Sequence, residues 1–412
     1  MTGKKSIGMC ILVFLCGAFV LMAASKKTAP DEPTLLSMDF SRIESLSEGT
    51  KVTFYMWGGS SIINRWVDSY VGGEMKKRYD VTLERVPMDA SIFVNKLLTE
   101  KQAGRDRGTI DLLWINGENF KNAREADLLF GPYVGVLPNY RDYVDPETVA
   151  YDFGYPTEGY EAPYGRAQFV FEYDSAKVDS PPDTYESLLR WVKENPGRFT
   201  YPMPPDFTGS AFIRQAFYAV TGGYAQYVEG FDEELFRKNA PMLWAYLSEM
   251  KPYLWQEGKT YPKDVAALDT LFARGEVDLN MSYNQTHAQN SILTGLYRDT
   301  VKSYVMKNDS IYNTHFTAIP FNAPNKAGAL ATTNFLLSVE AQVSKNMPEN
   351  WGDFTVLDMD RLSSEQRAMF ESIDLGDATV ALDVLASNGV PEIPASYLEK
   401  LEAGWEEEVL RQ

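Results

Sequence analysis

Between Val52 and Ile115 the chain alternates short β-rich runs with amphipathic helical stretches, and this alternation constrains the fold more than any other feature. Val52-Thr53-Phe54-Tyr55-Met56-Trp57 reads as a strand that stops at Gly58-Gly59-Ser60. Ile62, Ile63, Trp66, Val67 and Tyr70 then fall on one helical face. Val81 to Val86 is a second strand, Phe93, Val94, Leu97 and Leu98 mark a second helix, and Ile110 to Ile115 is a third strand. Such alternation builds a parallel sheet covered by helices, because parallel neighbours need a crossover connection.

A second α/β region follows. Gln168 to Tyr173 reads as a strand, Ser180-Pro181-Pro182-Asp183-Thr184 stops it, and a helix runs from Tyr185 to Val192. Val265, Leu268, Leu271 and Phe272 share a helix face that ends at Gly275, and Val277 to Tyr283 is the next strand. Phe335 to Val339 reads as a strand. Beyond it the pattern is mostly helical, with Ser363 and Gln366 at capping-box spacing and Leu398, Leu401 and Trp405 at helical spacing. A chain of 412 residues exceeds one ordinary core, so the two α/β regions are expected to be two lobes.

The N-terminus reads as an export signal. Lys4 and Lys5 precede an uncharged stretch with the apolar run Ile11 to Leu15, and Ala23-Ala24-Ser25 offers small residues for cleavage. Retention of the apolar stretch as an anchor and lipidation at Cys16 are the alternatives. Residues 26–47, polar with Pro30 and Pro33, read as a tether. The only two cysteines, Cys10 and Cys16, lie in the signal, so a cleaved chain has no sulfur for disulfide, metal or nucleophile. A formal net charge of −18 excludes the basic face that phosphate binding needs, and with it a nucleic-acid partner.

No H-E-x-x-H, G-x-S-x-G, phosphate-loop or EF-hand pattern occurs. The two histidines, His287 and His315, show no evident carboxylate partner, and Asp358-Asp360 reads as a polar flank of a helix. An exported hydrolase with a Ser-His-acid site is the catalytic alternative. A binding geometry recurs instead. In open α/β sheets ligands sit beyond the carboxyl ends of strands, where helix N-termini offer free N–H groups. Trp57-Gly58-Gly59-Ser60 fills that position after the first strand, with Trp57 able to stack on a ring or cation. Asn116-Gly117-Glu118-Asn119 fills it after the third. Thr208-Gly209-Ser210 opens a helix suited to an anion, and Tyr283-Asn284 ends a strand of the second region. Each of these also reads as a plain turn or helix cap.

The order of these pieces resembles the bacterial extracellular solute-binding proteins of ABC importers with the type II two-lobed fold. The resemblance rests on the export signal, Val52 to Ser60, Phe169 to Lys177, Ser180 to Thr184, Gly275 to Met281 and Asn334 to Ser344. Ile110 to Phe120, and Pro394 to Glu402 with Trp405, are similar to the YnjB-like branch. The resemblance implies a signal over 1–25, the tether over 26–47, a first lobe over 48–165 and a second over 166–319. A return segment over 320–345 and a helical C-terminus over 346–412 complete it. It implies crossings near Tyr164–Phe171 and Thr317–Phe321, and a cleft that closes on a solute and presents a surface to a membrane permease. Tyr164 and Asn334 join the candidate ligand residues on this ground. A periplasmic monomer without cofactor or chemistry is expected. Related receptors take thiamine and its phosphates, polyamines, ferric iron or sugars. No Tyr-Tyr pair is present for iron, and Trp57, Trp114 and Glu118 suit a thiamine-like or other organic cation.

Overall fold

The computed structural model describes residues 32–411, so the expected signal lies outside the described residues. Strands β1 (Lys51–Met56), β2 (Thr82–Pro87) and β3 (Leu112–Ile115) are parallel neighbours with β1 central, as the alternation requires. A short hairpin, β4 (Tyr151–Asp152) and β5 (Tyr155–Pro156), precedes β6 (Glu161–Gln168). The chain then crosses into a second, antiparallel sheet, in which β7 (Val170–Asp174) lies between β8 (Leu279–Ser282) and β9 (Val301–Tyr304). It returns along β10 (Ser310–Ala318), which pairs antiparallel with β6 and β3, and β11 (Gly389–Pro391) adds to the start of β10.

Two large cores flank the β6–β10 ladder. One packs Val52, Phe54, Leu112, Phe316, Phe335 and Trp351; the other packs Phe171, Phe212, Met281, Ile311, Tyr397 and Trp405. A smaller core around Phe93, Leu113 and Phe120 covers the opposite face of the first sheet. The return comes slightly earlier in the chain than expected, with β10 itself doing the crossing.

Two expectations need correction. Residues 32–47 are not an extended tether: Glu32–Leu36 and Phe40–Ser47 are helical, and Leu35 and Ile43 are buried in the first core. Leu35, Leu36, Phe40, Ile43 and Leu46 carry a helical stripe that the prolines upstream concealed. The run at Phe335 is not a strand. It ends the helix Lys326–Leu336, whose residues from Gly328 onward are all buried, and Ser338 caps the helix Val339–Asn346. A helix buried all round shows no clear one-sided period, so the short apolar run at its end mimics a strand. That helix lies against β1 closely enough that a Cβ on Gly328 would fall 2.6 Å from Val52 Cγ2.

Among the described residues no helix is long and apolar enough to cross a membrane. The C-terminal part divides between the cores: Trp351 to Phe370 joins the first, and Ala378 to Val409 joins the second.

Candidate functional site

The sequence-predicted loops sit where the strands of the first sheet end. Trp57 follows β1 with 39% of its surface exposed. Its indole lies over Gly59, where a Cβ would overlap the ring, and a Cβ on Gly58 would fall 2.7 Å from Pro87. Gly58 is therefore required by close approach, whereas at Gly59 a side chain would displace the exposed indole. Ser60 accepts from Ile63 N at 3.4 Å and caps the next helix.

After β3, Gly117 adopts φ +63°, a conformation that favours glycine, and starts the helix Glu118–Glu125. Its N–H donates to the buried Asp152 carboxylate. Asn116 and Asn119 are half-buried and form no side-chain hydrogen bond among the described residues. Glu118 Oε2 is buried without a partner. Burial, with the charge of Glu402 adding to it, lifts the Glu118 carboxyl to about 7. Burial likewise holds Asp152 and Glu161 well above the ordinary carboxylate range.

The second lobe meets this point with the start of the helix Phe207–Thr221. The expected anion site there is already filled from within. Asp206 Oδ1 accepts from both Thr208 N and Gly209 N at 3.0 Å, and Ser210 Oγ donates to Glu402. A Cβ on Gly209 would overlap the Pro202 carbonyl, so this glycine serves packing. Tyr283 Oη donates to Glu392 at 2.8 Å, and its ring lies 5.1 Å from Phe207.

Sequence reasoning missed the groups that join these pieces. Arg214, fully buried, makes a two-pronged pair with Glu392, both contacts at 2.7 Å. Its guanidinium lies 5.4 Å from the Phe153 ring centre, and the Phe153 and Phe207 rings are 6.2 Å apart. The helix Ala395–Trp405 braces both sides, with Ser396 bonded to Lys121 of the first lobe and Glu402 to Ser210 of the second. A helical stripe signalled that helix's core face, but no local pattern marks which charges meet across lobes.

A second junction lies on the other side of the β6–β10 ladder. Asn284 Nδ2 and Asn290 Nδ2 donate to the Trp351 carbonyl at 3.3 and 2.7 Å. Gln285 Nε2 and Thr286 Oγ1 donate to the Gly352 carbonyl at 3.2 and 3.1 Å. Asn284 is thus engaged in holding the lobes together. Tyr164, on β6, is buried in a ring cluster with Trp114, His315 and Trp351, and its hydroxyl has no partner. Asn334 is placed apart from these loops. Its Oδ1 accepts from Asn139 N at 2.9 Å and caps a helix of the first lobe.

Both histidines have carboxylate partners, contrary to expectation, because the partners are distant in sequence. His315 Nε2 is 3.1 Å from Asp353, which also pairs with the buried Lys345 at 2.7 Å. Gly165 makes room for this group, since a Cβ there would overlap both Lys345 and Asp353. His287 Nδ1 is 2.9 Å from Glu172, and its Nε2 is 3.4 Å from both Asp269 and Ser291 Oγ. Burial lowers the His287 pKa, but Asp269 and Glu172 outweigh it and hold the imidazole well above its usual value. A ring held protonated between two carboxylates cannot take a proton from Ser291, which is itself buried. Glu172, Asp269 and His287 form a cluster of metal-ligand type. The imidazolium, donating from opposite nitrogens to two carboxylates, supplies the charge a cation would.

Comparison with known proteins agrees with this architecture. Residues 73–348 match the family described as bacterial extracellular solute-binding protein. Protein YnjB of Escherichia coli (strain K12) is 42% identical over 337 residues, 81% of this chain and 86% of that protein. An ABC transporter structure from Clostridium perfringens has a TM-score of 0.59 at 17% identity, covering 87% of this chain and 99% of that one. A putative spermidine/putrescine ABC transporter from Listeria monocytogenes has 0.60 at 16%, covering 86% and 98%. Iron-bound HitA from Pseudomonas aeruginosa has 0.58 at 15%, also covering 86% and 98%. At such identities these structures speak for the fold, and the type II two-lobed architecture is theirs as well. By sequence and by architecture, the chain belongs to the bacterial extracellular solute-binding protein family.

Proposed function

We propose that this protein is the exported, monomeric receptor of an ABC importer, which captures a small organic cation between its lobes and hands it to membrane permease subunits. The observation that carries the ligand class is the charge at the lobe junction. Glu118 of the first lobe faces Glu399 and Glu402 of the terminal helix, with Arg214 and Lys121 as the opposing cations. Arg214 is already committed to Glu392. A net acidic junction beside Phe153, Phe207 and Tyr283 favours a ring-bearing or aliphatic ammonium over an anion, because aromatic faces and carboxylates both attract cations. The capped start of Phe207–Thr221 supports the same choice, since its first N–H groups are spent on Asp206. The Listeria neighbour is described as a polyamine transporter and the Pseudomonas one as iron-bound, so neighbours alone do not select a ligand.

Native mass spectrometry of the purified protein identifies what co-purifies, and a thermal-shift panel of thiamine, thiamine phosphate, putrescine, spermidine and choline ranks cations. A true ligand at a hundred times its dissociation constant adds about 2.7 kcal/mol of stability. X-ray scattering with and without it should show closure. A panel without any shift, together with turnover of an ester or amide substrate, would sink the receptor reading.

A further inference from the structure

A cavity of about 210 Å³ opens on the second lobe. It lies beside the C-terminal end of Phe207–Thr221, whose N-terminal end carries Ser210 at the junction. Tyr218, on its wall, is eight residues further along that helix, a rise of about 12 Å. The rest of the wall includes Tyr185, Tyr224, Met306, Lys307 and Asp309.

Asp309 is 7% exposed, and its side chain makes no hydrogen bond or ion pair among the described residues. Lys307, two residues away, is exposed and pairs with Asp183 instead. Tyr185 is 3% exposed, and its hydroxyl also lacks a partner. Buried polar groups without partners are rare in folded proteins, and a buried lone carboxylate is among the costliest. The sequence hides the site, because Asp309 stands in Lys307-Asn308-Asp309-Ser310, which reads as an ordinary polar turn.

We propose that this cavity is a second binding site, separate from the lobe junction, which takes a small organic ammonium ion. The carboxylate of Asp309 supplies the counter-charge, the Tyr185 hydroxyl accepts a hydrogen bond from the ammonium, and the faces of Tyr185, Tyr218 and Tyr224 attract it. A divalent metal suits the cavity less well, because such ions take several carboxylate or carbonyl oxygens and Asp309 is the single acid on the wall. Burial raises the Asp309 carboxyl well above its ordinary range, so filling the cavity with a cation restores the ionised form.

The probe is methylammonium chloride, titrated calorimetrically into the full chain, with sodium chloride at equal ionic strength as the reference. Wild-type protein should bind methylammonium and not sodium. Asp309→Asn keeps the shape, removes the charge, and should weaken binding at least tenfold. Tyr185→Phe removes only the hydroxyl and tests the site independently if Asp309→Asn folds poorly; it should weaken binding at least threefold. Ile92→Ala, exposed on the first lobe and in neither site, should leave methylammonium binding unchanged. Equal responses to sodium and methylammonium, or Asp309→Asn or Tyr185→Phe binding like wild type, would overturn the proposal. Binding that survives in both Asp309→Asn and Tyr185→Phe would move the ion to the lobe junction, and failure of the cavity site leaves the junction reading to its own ligand panel.

Discussion

Substitution of Glu118 by Gln tests the electrostatics of the lobe junction directly. Burial and the nearby Glu402 raise the Glu118 carboxyl from 4.5 to about 7 in the folded state. The folded protein therefore holds this proton more tightly than the unfolded chain does. The stability it contributes is fully present below about pH 4.5 and is lost as pH rises through about 7. A shift from 4.5 to about 7, at about 1.4 kcal/mol per unit, corresponds to roughly 3 kcal/mol of pH-dependent stability. Gln cannot titrate, so the difference between wild type and Glu118→Gln should fall by about that amount between pH 4.5 and 8. Raised carboxyls that Glu118 does not act on, such as Asp152, Glu161 and Asp309, remain in both proteins and cancel in the difference. Urea unfolding followed by tryptophan fluorescence at half-unit pH steps gives both curves. A difference that stays flat within about 0.5 kcal/mol over this range would refute the burial argument, because the assay resolves changes far smaller than the roughly 3 kcal/mol expected. The same titration bears on ligand capture: below about pH 7 the proton neutralises Glu118, so a cationic ligand should bind less tightly, and Glu118→Gln should abolish that dependence.

Three further outcomes follow from the geometry. Asp353→Asn strips the buried Lys345 of its counter-charge and should cost about 3–5 kcal/mol, read by urea unfolding, whereas Lys345→Met with Asp353→Leu should restore most of that loss. Gly352→Ala places a methyl against Thr286 at φ +80° and should lower the melting temperature; adding Thr286→Ala removes the nearest atom, Oγ1, and should recover part of it, leaving the 2.6 Å approach of the position-286 Cβ and about 1 kcal/mol of backbone strain. Trp57→Ala should leave stability within about 0.5 kcal/mol and weaken cation capture by about 1 kcal/mol, roughly fivefold, by calorimetry.

The parallel strands β1 to β3 and the helix before β8 were legible because each announces itself within ten residues. Strand β1 has its apolar alternation and glycine stop, and Gly275, at φ +73°, stands just past the end of the helix Val265–Ala273. The loops after β1 and β3 were legible for the same reason, since the carboxyl end of a parallel strand is a local feature. Whatever depends on long-range contact was not. The partners of His287 are 115 and 18 residues upstream, at Glu172 and Asp269. The pair Arg214–Glu392 spans 178 residues. Asn334 stood in a stretch that matched by resemblance, but its side chain faces Asn139 on a neighbouring helix, which nothing in its own neighbourhood encodes.

The number of chain crossings bears on how such lobes can move. Two crossings lie side by side in the β6–β10 ladder, and a third runs from Ile373, against the first core, to Ala378, in the second. Gly376 lies on that third link at φ +79°, and a Cβ there would overlap Gln289 of the second lobe. Two links that share a ladder define a flexible ribbon, which permits twist as well as bending. A third link on the side of Trp351 and Gly352 opposes twist, because it would have to stretch. Rotation about an axis near the ladder changes its length least. The carbonyl contacts at Trp351 and Gly352 therefore lie close to that axis and can persist through such a rotation. Glu118, on the first lobe, and the Ser210–Glu402 pair, which the second lobe holds together, are the groups whose separation such a rotation changes. If the protein captures a cation as proposed, the acidic junction is where that cation would shift the balance between open and closed forms, since only contacts that differ between two states bias their populations.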